Sequence, residues 1–350
     1  MTAIEQMLAS VLLSMSWQAL ILVGICELFP VFVPGSPARL RFIGSMSALA
    51  LTVLLPFGAI FGLWSNATVS SQVSEPSPAV LLVIRWFVWI AVILTMVRAL
   101  KLLFAIRPTN RLRAGAIEVD TACLSLLPES WRDNRRAKRT RVFMLPASTE
   151  ASGPLTTGVF APAILLPHCL FQEGNERLVR AALIHEFAHV RRNDALWLAV
   201  SELMLVPLAF HPVSALFRRR LQLTREMACD ELVASEVLPA RDYAQDLLDV
   251  ARHVTASPSG VVALGVFSGG SLEARIRALA NFSRFRDKHL SRWQKATLAL
   301  AAAGIIAVLI AGARFTLVWM SPDPGPPKMI YSIVPKPPPP PPPPPGLRRN

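Results

Sequence analysis

Two histidines four residues apart bracket a glutamate in the run His185-Glu186-Phe187-Ala188-His189. On a helix such a pair points the same way and can hold one zinc ion at about 2.0–2.1 Å per bond. The glutamate beside the first histidine then reaches a water on that ion. Zinc lowers the water's pKa towards neutrality, and the carboxylate takes its proton as it attacks a carbonyl. The chemistry indicated is metal-assisted peptide hydrolysis, with His185 and His189 as ligands and Glu186 as general base. The pattern alone arises by chance in on the order of one chain in a hundred of this length. A third ligand is therefore required.

Downstream, the run Arg225-Glu226-Met227-Ala228-Cys229-Asp230-Glu231 again places two acidic side chains four apart on one helical face. Glu226 can serve as the third ligand. Asp230 can orient a ligating histidine through its second ring nitrogen. Small Ala228 permits close helix approach. An isolated acidic pair on a helix would read as a solvated cluster, but the upstream motif favours ligation. His211 is the rival ligand, although a histidine before proline at a helix break more often caps or turns. Tyr243 and His211 are also the candidates for polarising the carbonyl oxygen.

The elements that must position these groups follow from pattern. Asn175 is a favourable N-cap with Glu176 in the first turn, and no Gly or Pro interrupts the chain to Arg192. Leu178, Ala182, His185 and His189 then share one face. A second, very apolar helix is expected over Asp194–Phe210, with Pro207 near its end, and a third over about Val213–Glu236. Cys26, Cys123, Cys169 and Cys229 form no CxxC pair, so neither a disulfide framework nor a cysteine zinc site is expected.

Composition sets these helices beside a membrane. Hydrophobic residues make up 53% and charged residues 17% of the 350, against a charged share near ~25% in soluble domains. Spanning a bilayer takes about 20 apolar residues, and four stretches qualify: about 7–33, 42–64, 79–106 and 296–320. Arg85 inside the third is expected to snorkel or to face other helices. Only Glu5 is charged before the first stretch, so no cleaved signal peptide is expected. Arg39 and Arg41 precede the second stretch, and residues 65–78 contain no Lys or Arg. Basic residues then follow the third stretch and precede the fourth. By the positive-inside rule both termini lie outside, and the central segment 107–295 lies inside as the catalytic domain.

The net charge of +13 thus has mostly a membrane explanation. The basic run 132–141 reads as a solvated face beside anionic lipid, with direct nucleic-acid binding not expected. Residues 321–350 form a proline-rich outer tail. Its unbroken Pro337–Pro345 must be an extended polyproline helix, suited to a spacer or docking strip.

Taken together, these residues resemble the BlaR/MecR family of integral-membrane gluzincin peptidases, the antirepressor and signal-transducer proteases. The resemblance covers about residues 1–320. It rests on the spans, on His-Glu-Phe-Ala-His-Val-Arg-Arg-Asn-Asp, on His211-Pro212, on residues 225–231, and on Pro154-Leu155-Thr156-Thr157-Gly158-Val159-Phe160-Ala161-Pro162. It implies an α-helical multi-pass inner-membrane protein with four transmembrane helices and a cytoplasmic α+β metallopeptidase domain. By resemblance, His185, His189 and Glu226 bind Zn2+, Glu186 is the general base and Asp230 supports a ligand. A strand over Thr157–Leu166, including Thr157, Gly158, Val159 and Phe160, would line the cleft, where a substrate peptide could pair with it. The implied partner is a protein substrate, a transcriptional repressor, with self-cleavage in the stretch 275–295 a further expectation. Members that sense beta-lactams carry an outer penicillin-binding domain with a Ser-x-x-Lys motif. None is expected here, because only residues 321–350 follow the fourth stretch. The competing reading is a non-enzymatic membrane scaffold that keeps a structural zinc site.

Overall fold

The computed structural model describes residues 2–60, 77–104, 112–119, 121–133, 135–146, 153–256, 269–282 and 303–311. Three helices are long and apolar enough to cross a membrane: α1 (Ala3–Phe32), α2 (Ala38–Ile60) and α3 (Pro78–Phe104). Only 11% of the apolar stretch of α3 is buried by the rest of the chain, leaving Trp86, Ile90 and Ile93 facing outward. An exposed apolar surface of that length has its natural solvent in lipid. Arg85 meets Glu5 of α1 at 3.0 Å. Of the expected fourth span, only residues 303–311 are described, as a helix (α9). Its Leu309 packs into the α1–α2 cluster and accepts a hydrogen bond from Gln18 Nε2 at 3.4 Å. Residues 61–76, the expected self-cleavage stretch beyond Phe282 and the proline-rich tail lie outside the described residues.

A small mixed sheet follows, in the order β1 (Ile117–Glu118), β2 (Arg141–Leu145), β4 (Ala163–Pro167), β3 (Leu155–Thr157). The β2–β4 pair is parallel and the other two are antiparallel. Every residue of β4 is buried, as expected of a strand covered on both faces. Ile164 and Leu166 join the main core, with Trp131, Leu183, Ile184 and Phe187. Leu165 and Ala163 pack with Phe143 and Leu145 on the other side.

The strand expected over Thr157–Leu166 is in fact a hairpin. Thr157 ends β3, while Gly158, Val159 and Phe160 lie in the connection to β4. Gly158 forces the break: its φ is +88°, and a Cβ there would meet the Ala161 carbonyl oxygen at 2.4 Å. Only glycine takes that conformation without strain. Phe160, at the tip, is 92% exposed.

The helices α4 (Glu176–Arg192), α5 (Asp194–Met204), α6 (Val213–Glu236), α7 (Ala240–Ala256) and α8 (Gly269–Ala280) complete the described fold. The Asn175 side chain does not cap α4; its amide lies 3.4 Å from the Cys169 carbonyl and 2.9 Å from His253 Nε2. The second apolar helix stops at Met204, short of Phe210, and Leu205–Phe210 form turns. Pro207 lacks the N–H that a continuing helix would need.

This α5–α6 connection packs among the spans. Phe210 meets Phe87 of α3 edge-on at 5.7 Å, beside Leu8, Ala9 and Leu12 of α1. Val213, Phe217 and Leu221, four apart along α6, pack against Met15, Ala19 and Leu22 of α1 and Met46 and Leu49 of α2. Glu202 of α5 pairs with Arg98 of α3 and with Arg218 of α6, the latter at 3.0 Å.

Replacing Gly158 by alanine should lower stability by about 1–3 kcal/mol, read as a drop in Tm of the detergent-purified chain. An unchanged Tm would show that the hairpin does not need its positive φ.

Candidate metal centre

α4 is buried on almost every side, and His185, Glu186 and His189 are 5–9% exposed within it. α6 crosses beside it with Glu226 inward. The Glu226 Oε2 atom lies 3.3 Å from His185 Nε2 and 3.7 Å from His189 Nε2. Bonds of about 2.0–2.1 Å in a tetrahedron put neighbouring ligand atoms about 3.3 Å apart. The three side chains therefore fit one zinc ion with little movement.

Each imidazole is held from behind. Tyr243 of α7 donates to Asp230 Oδ1 at 2.9 Å, and its hydroxyl lies 2.8 Å from His185 Nδ1. A hydroxyl that donates to a carboxylate accepts from the imidazole, which puts the His185 proton on Nδ1 and frees Nε2. Asp194 Oδ2 does the same for His189, 2.7 Å from its Nδ1. Asp194 arrives there because Asn193 ends α4 in the left-handed conformation (φ 62°, ψ 34°), which asparagine tolerates. The chain reverses, and the next residue swings back over its own helix.

Cys229 also reaches this pair, with Sγ 3.2 Å from His189 Nδ1 and 3.1 Å from Asp194 Oδ2. His189, Asp194 and Cys229 form a second group close enough to hold a metal. The 2.7 Å between Asp194 and His189 is a hydrogen bond, too short for two ligands of one tetrahedral ion. Burial also pushes the Cys229 thiol up to about 12, so it stays protonated. The trio is a hydrogen-bonded support.

Arg275, 4% exposed, closes the site from α8. Its Nε donates to Asp230 Oδ2 at 2.7 Å and its Nη2 to Oδ1 at 2.9 Å. Its Nη1 lies 3.5 Å from Glu226 Oε2, and Nη2 3.3 Å from His185 Nε2. This end of the expected self-cleavage stretch is thus part of the site's wall. Burial alone would raise the pKa of Glu226, but His189, His185 and Arg275 hold it well below the usual carboxylate range. Burial would likewise depress His189, yet the Glu226 carboxylate and the hydrogen bond to Asp194 raise it well above the ordinary imidazole value.

Glu186 lies beside both histidines, a carboxylate oxygen close enough to their ring nitrogens for His185, Glu186 and His189 to share a metal ion. The Thr156 hydroxyl of β3 lies 2.7 Å from Glu186 Oε2 and 3.0 Å from the Glu186 backbone carbonyl, its one proton shared between the two acceptors and nearer the carboxylate. A cavity of about 220 Å³ opens over the group, lined by Gly153–Thr156, both histidines, Glu186, Glu226, Leu198 and Arg275 among others.

A family model described as BlaR1 peptidase M56 matches residues 49–279. The chain belongs to that family. No curated protein matches it. The M56 match takes in α4, α6 and Arg275, so every residue of the cluster lies within it.

Of the residues singled out from sequence, the M56 chain brings His185, Glu186, His189, Glu226, Asp230 and Tyr243 together. Tyr243 is part of the cavity lining, but its hydroxyl is engaged behind His185, on Nδ1 and on Asp230 Oδ1. His211 is absent from the cavity; its Nδ1 accepts from Val213 N–H at 3.2 Å, as a turn residue. None of the strand candidates Thr157, Gly158, Val159 and Phe160 lines the cavity; the residues before them, Leu155 and Thr156, do. Asp230 touches His185 only at 3.4 Å, and its nearer bonds go to Tyr243 and Arg275. Sequence reading missed Asp194, Thr156 and Arg275. The last left a signal, an arginine on the apolar face of Leu272, Ile276 and Leu279.

Asp194→Ala should weaken zinc binding by about 10–100-fold, measured by competition against a chromophoric chelator. Unchanged affinity would mean that Asp194 does not orient His189.

Proposed function

We propose that this chain is a membrane-embedded zinc metalloendopeptidase that cleaves a cytoplasmic or membrane protein in signalling across the membrane. A transcriptional repressor is the substrate class the family resemblance implies. The observation that carries the reading is the division of labour at the site. His185, His189 and Glu226 converge as ligands, while Glu186, also within reach of the same ion, is tied to the Thr156 hydroxyl and faces the cavity. A site that served folding alone would have no use for a separately positioned carboxylate, which argues against the scaffold reading.

Zinc bound by these three side chains would supply Lewis acidity, activating water and polarising a peptide carbonyl. Glu186 accepts the water's proton and returns it to the leaving amine. The Thr156 hydroxyl fixes the Glu186 rotamer during both transfers. Asp194 and Tyr243 keep the Nδ1 protons of His189 and His185 in place. β3 ends the sheet among the described strands, and its Leu155 and Thr156 border the cavity. A substrate strand added to that edge would lie across the site.

The placement proposed is an inner membrane with the site on the cytoplasmic side. Both Glu231 oxygens accept from the Ala38 N–H at 2.7 Å, and Arg220 reaches the Cys26 carbonyl at 2.5 Å and Glu27 at 3.1 Å. The α1–α2 turn and the metal-site half of α6 therefore share one side. Arg39 and Arg41 beside that turn make it the cytoplasmic side by the positive-inside rule.

In cells expressing Glu186→Ala, new protein N-termini produced by the unaltered chain should disappear while the purified variant retains one zinc per chain. Identical N-termini in both strains, with zinc bound in both, would sink the peptidase reading and leave the scaffold one. A repressor fragment, or one beginning within residues 275–295 of this chain, would name the substrate.

A further inference from the structure

A second cavity, of about 820 Å³, lies on the other side of α6, between α2, the end of α4 and α5. α2 lines it with Arg39, Phe42, Ile43, Met46 and Ala50, which recur on one helical face. From Arg39 to Ala50 the helix rises about 16 Å, roughly the hydrocarbon depth of one leaflet. Opposite, Trp197, Val200 and Met204 of α5 line the wall at the same helical spacing. Both helices start at the polar end of the cavity and run towards the apolar end.

The chemistry changes sharply along that length. At the polar end stand Arg39, Arg191 and Arg192, with Glu231 and Glu236. Both carboxylates are engaged. Glu231 accepts from Ala38 N–H at 2.7 Å on each oxygen. Glu236 accepts from Arg191 and, at 2.9 Å, from Trp131 Nε1. Arg192 lies over the Phe42 ring, 5.7 Å from its centroid, and 3.3 Å from Asp194. Arg39 is exposed at the mouth. At the far end the lining is Met46, Ala50, Val200 and Met204, with no charge. Three arginines against two carboxylates leave that rim with a net charge of +1, and Arg39 at the mouth above an apolar slot one leaflet deep matches an anionic lipid, headgroup and chain together.

We propose that this cavity binds one anionic phospholipid of the adjoining leaflet, its phosphate at Arg39 and Arg192 and one acyl chain between α2 and α5. The inference stands apart from the catalytic reading and needs only that α1–α3 cross a bilayer.

The test is native mass spectrometry of the delipidated full chain in detergent. Phosphatidylglycerol or phosphatidylcholine with the same acyl chains is added back, and zinc content reports folding. The unaltered chain should retain a single phosphatidylglycerol several-fold over phosphatidylcholine, and excess inorganic phosphate should not displace it. Arg39→Gln, at an exposed position, should cut that preference roughly fivefold, the worth of one arginine at an anionic surface. Ser47→Trp, on the wall of the slot, should abolish retention of both lipids with zinc still bound. Equal retention of the two lipids by the unaltered chain, or a preference untouched by Arg39→Gln, would overturn the proposal. So would retention of neither lipid.

Discussion

Glu226, Asp230, Asp194, His185 and His189 lie together inside an apolar shell, and desolvating a charge costs several kcal/mol unless it is met at contact distance. Here each is met. Arg275 closes on Asp230 and Glu226, Tyr243 bridges Asp230 to His185, and Asp194 takes both His189 and the Cys229 thiol. The packing of four helices follows from that need. α4 brings the imidazoles, α6 two carboxylates, α7 the phenol and α8 the guanidinium. Withdrawing any one would leave a buried charge or dipole without its partner.

The same requirement orders the smaller details. The left-handed Asn193 matters because it returns Asp194 to the imidazole five residues behind it. The hairpin at Gly158 matters because it lets β3 end beside α4, with Thr156 on Glu186. Neither residue has chemistry of its own to offer. Both decide where another side chain points.

Much of this was legible in the sequence, because helical spacing alone fixes which residues share a face. His185 with His189, and Glu226 with Asp230, follow from a period of 3.6 residues, and α4 and α6 appear with the bounds expected. The three described spans likewise follow from apolar length. Relations between elements were less legible. Arg275 and Tyr243 come from helices whose approach to α4 no local pattern states. Asp194 was read as a helix start, since its route back depends on one backbone angle. The expected 157–166 strand failed for a related reason, as a single positive φ divides it. Placing Asp230 directly behind a histidine overlooked the phenol that intervenes.

The continuity of α6 has a consequence for how the molecule can be divided. Its first turns fill the space between α1 and α2 through Val213, Phe217 and Leu221. About 20 Å from Val213 along the same rod stands Glu226, followed by Glu231 on the start of α2. No joint separates the part that belongs to the bundle from the part that carries the ligand. Cutting the chain after α3 would uncover an apolar stripe on the helix that carries Glu226. The smallest unit that keeps both ends of α6 packed as they stand therefore includes the spans.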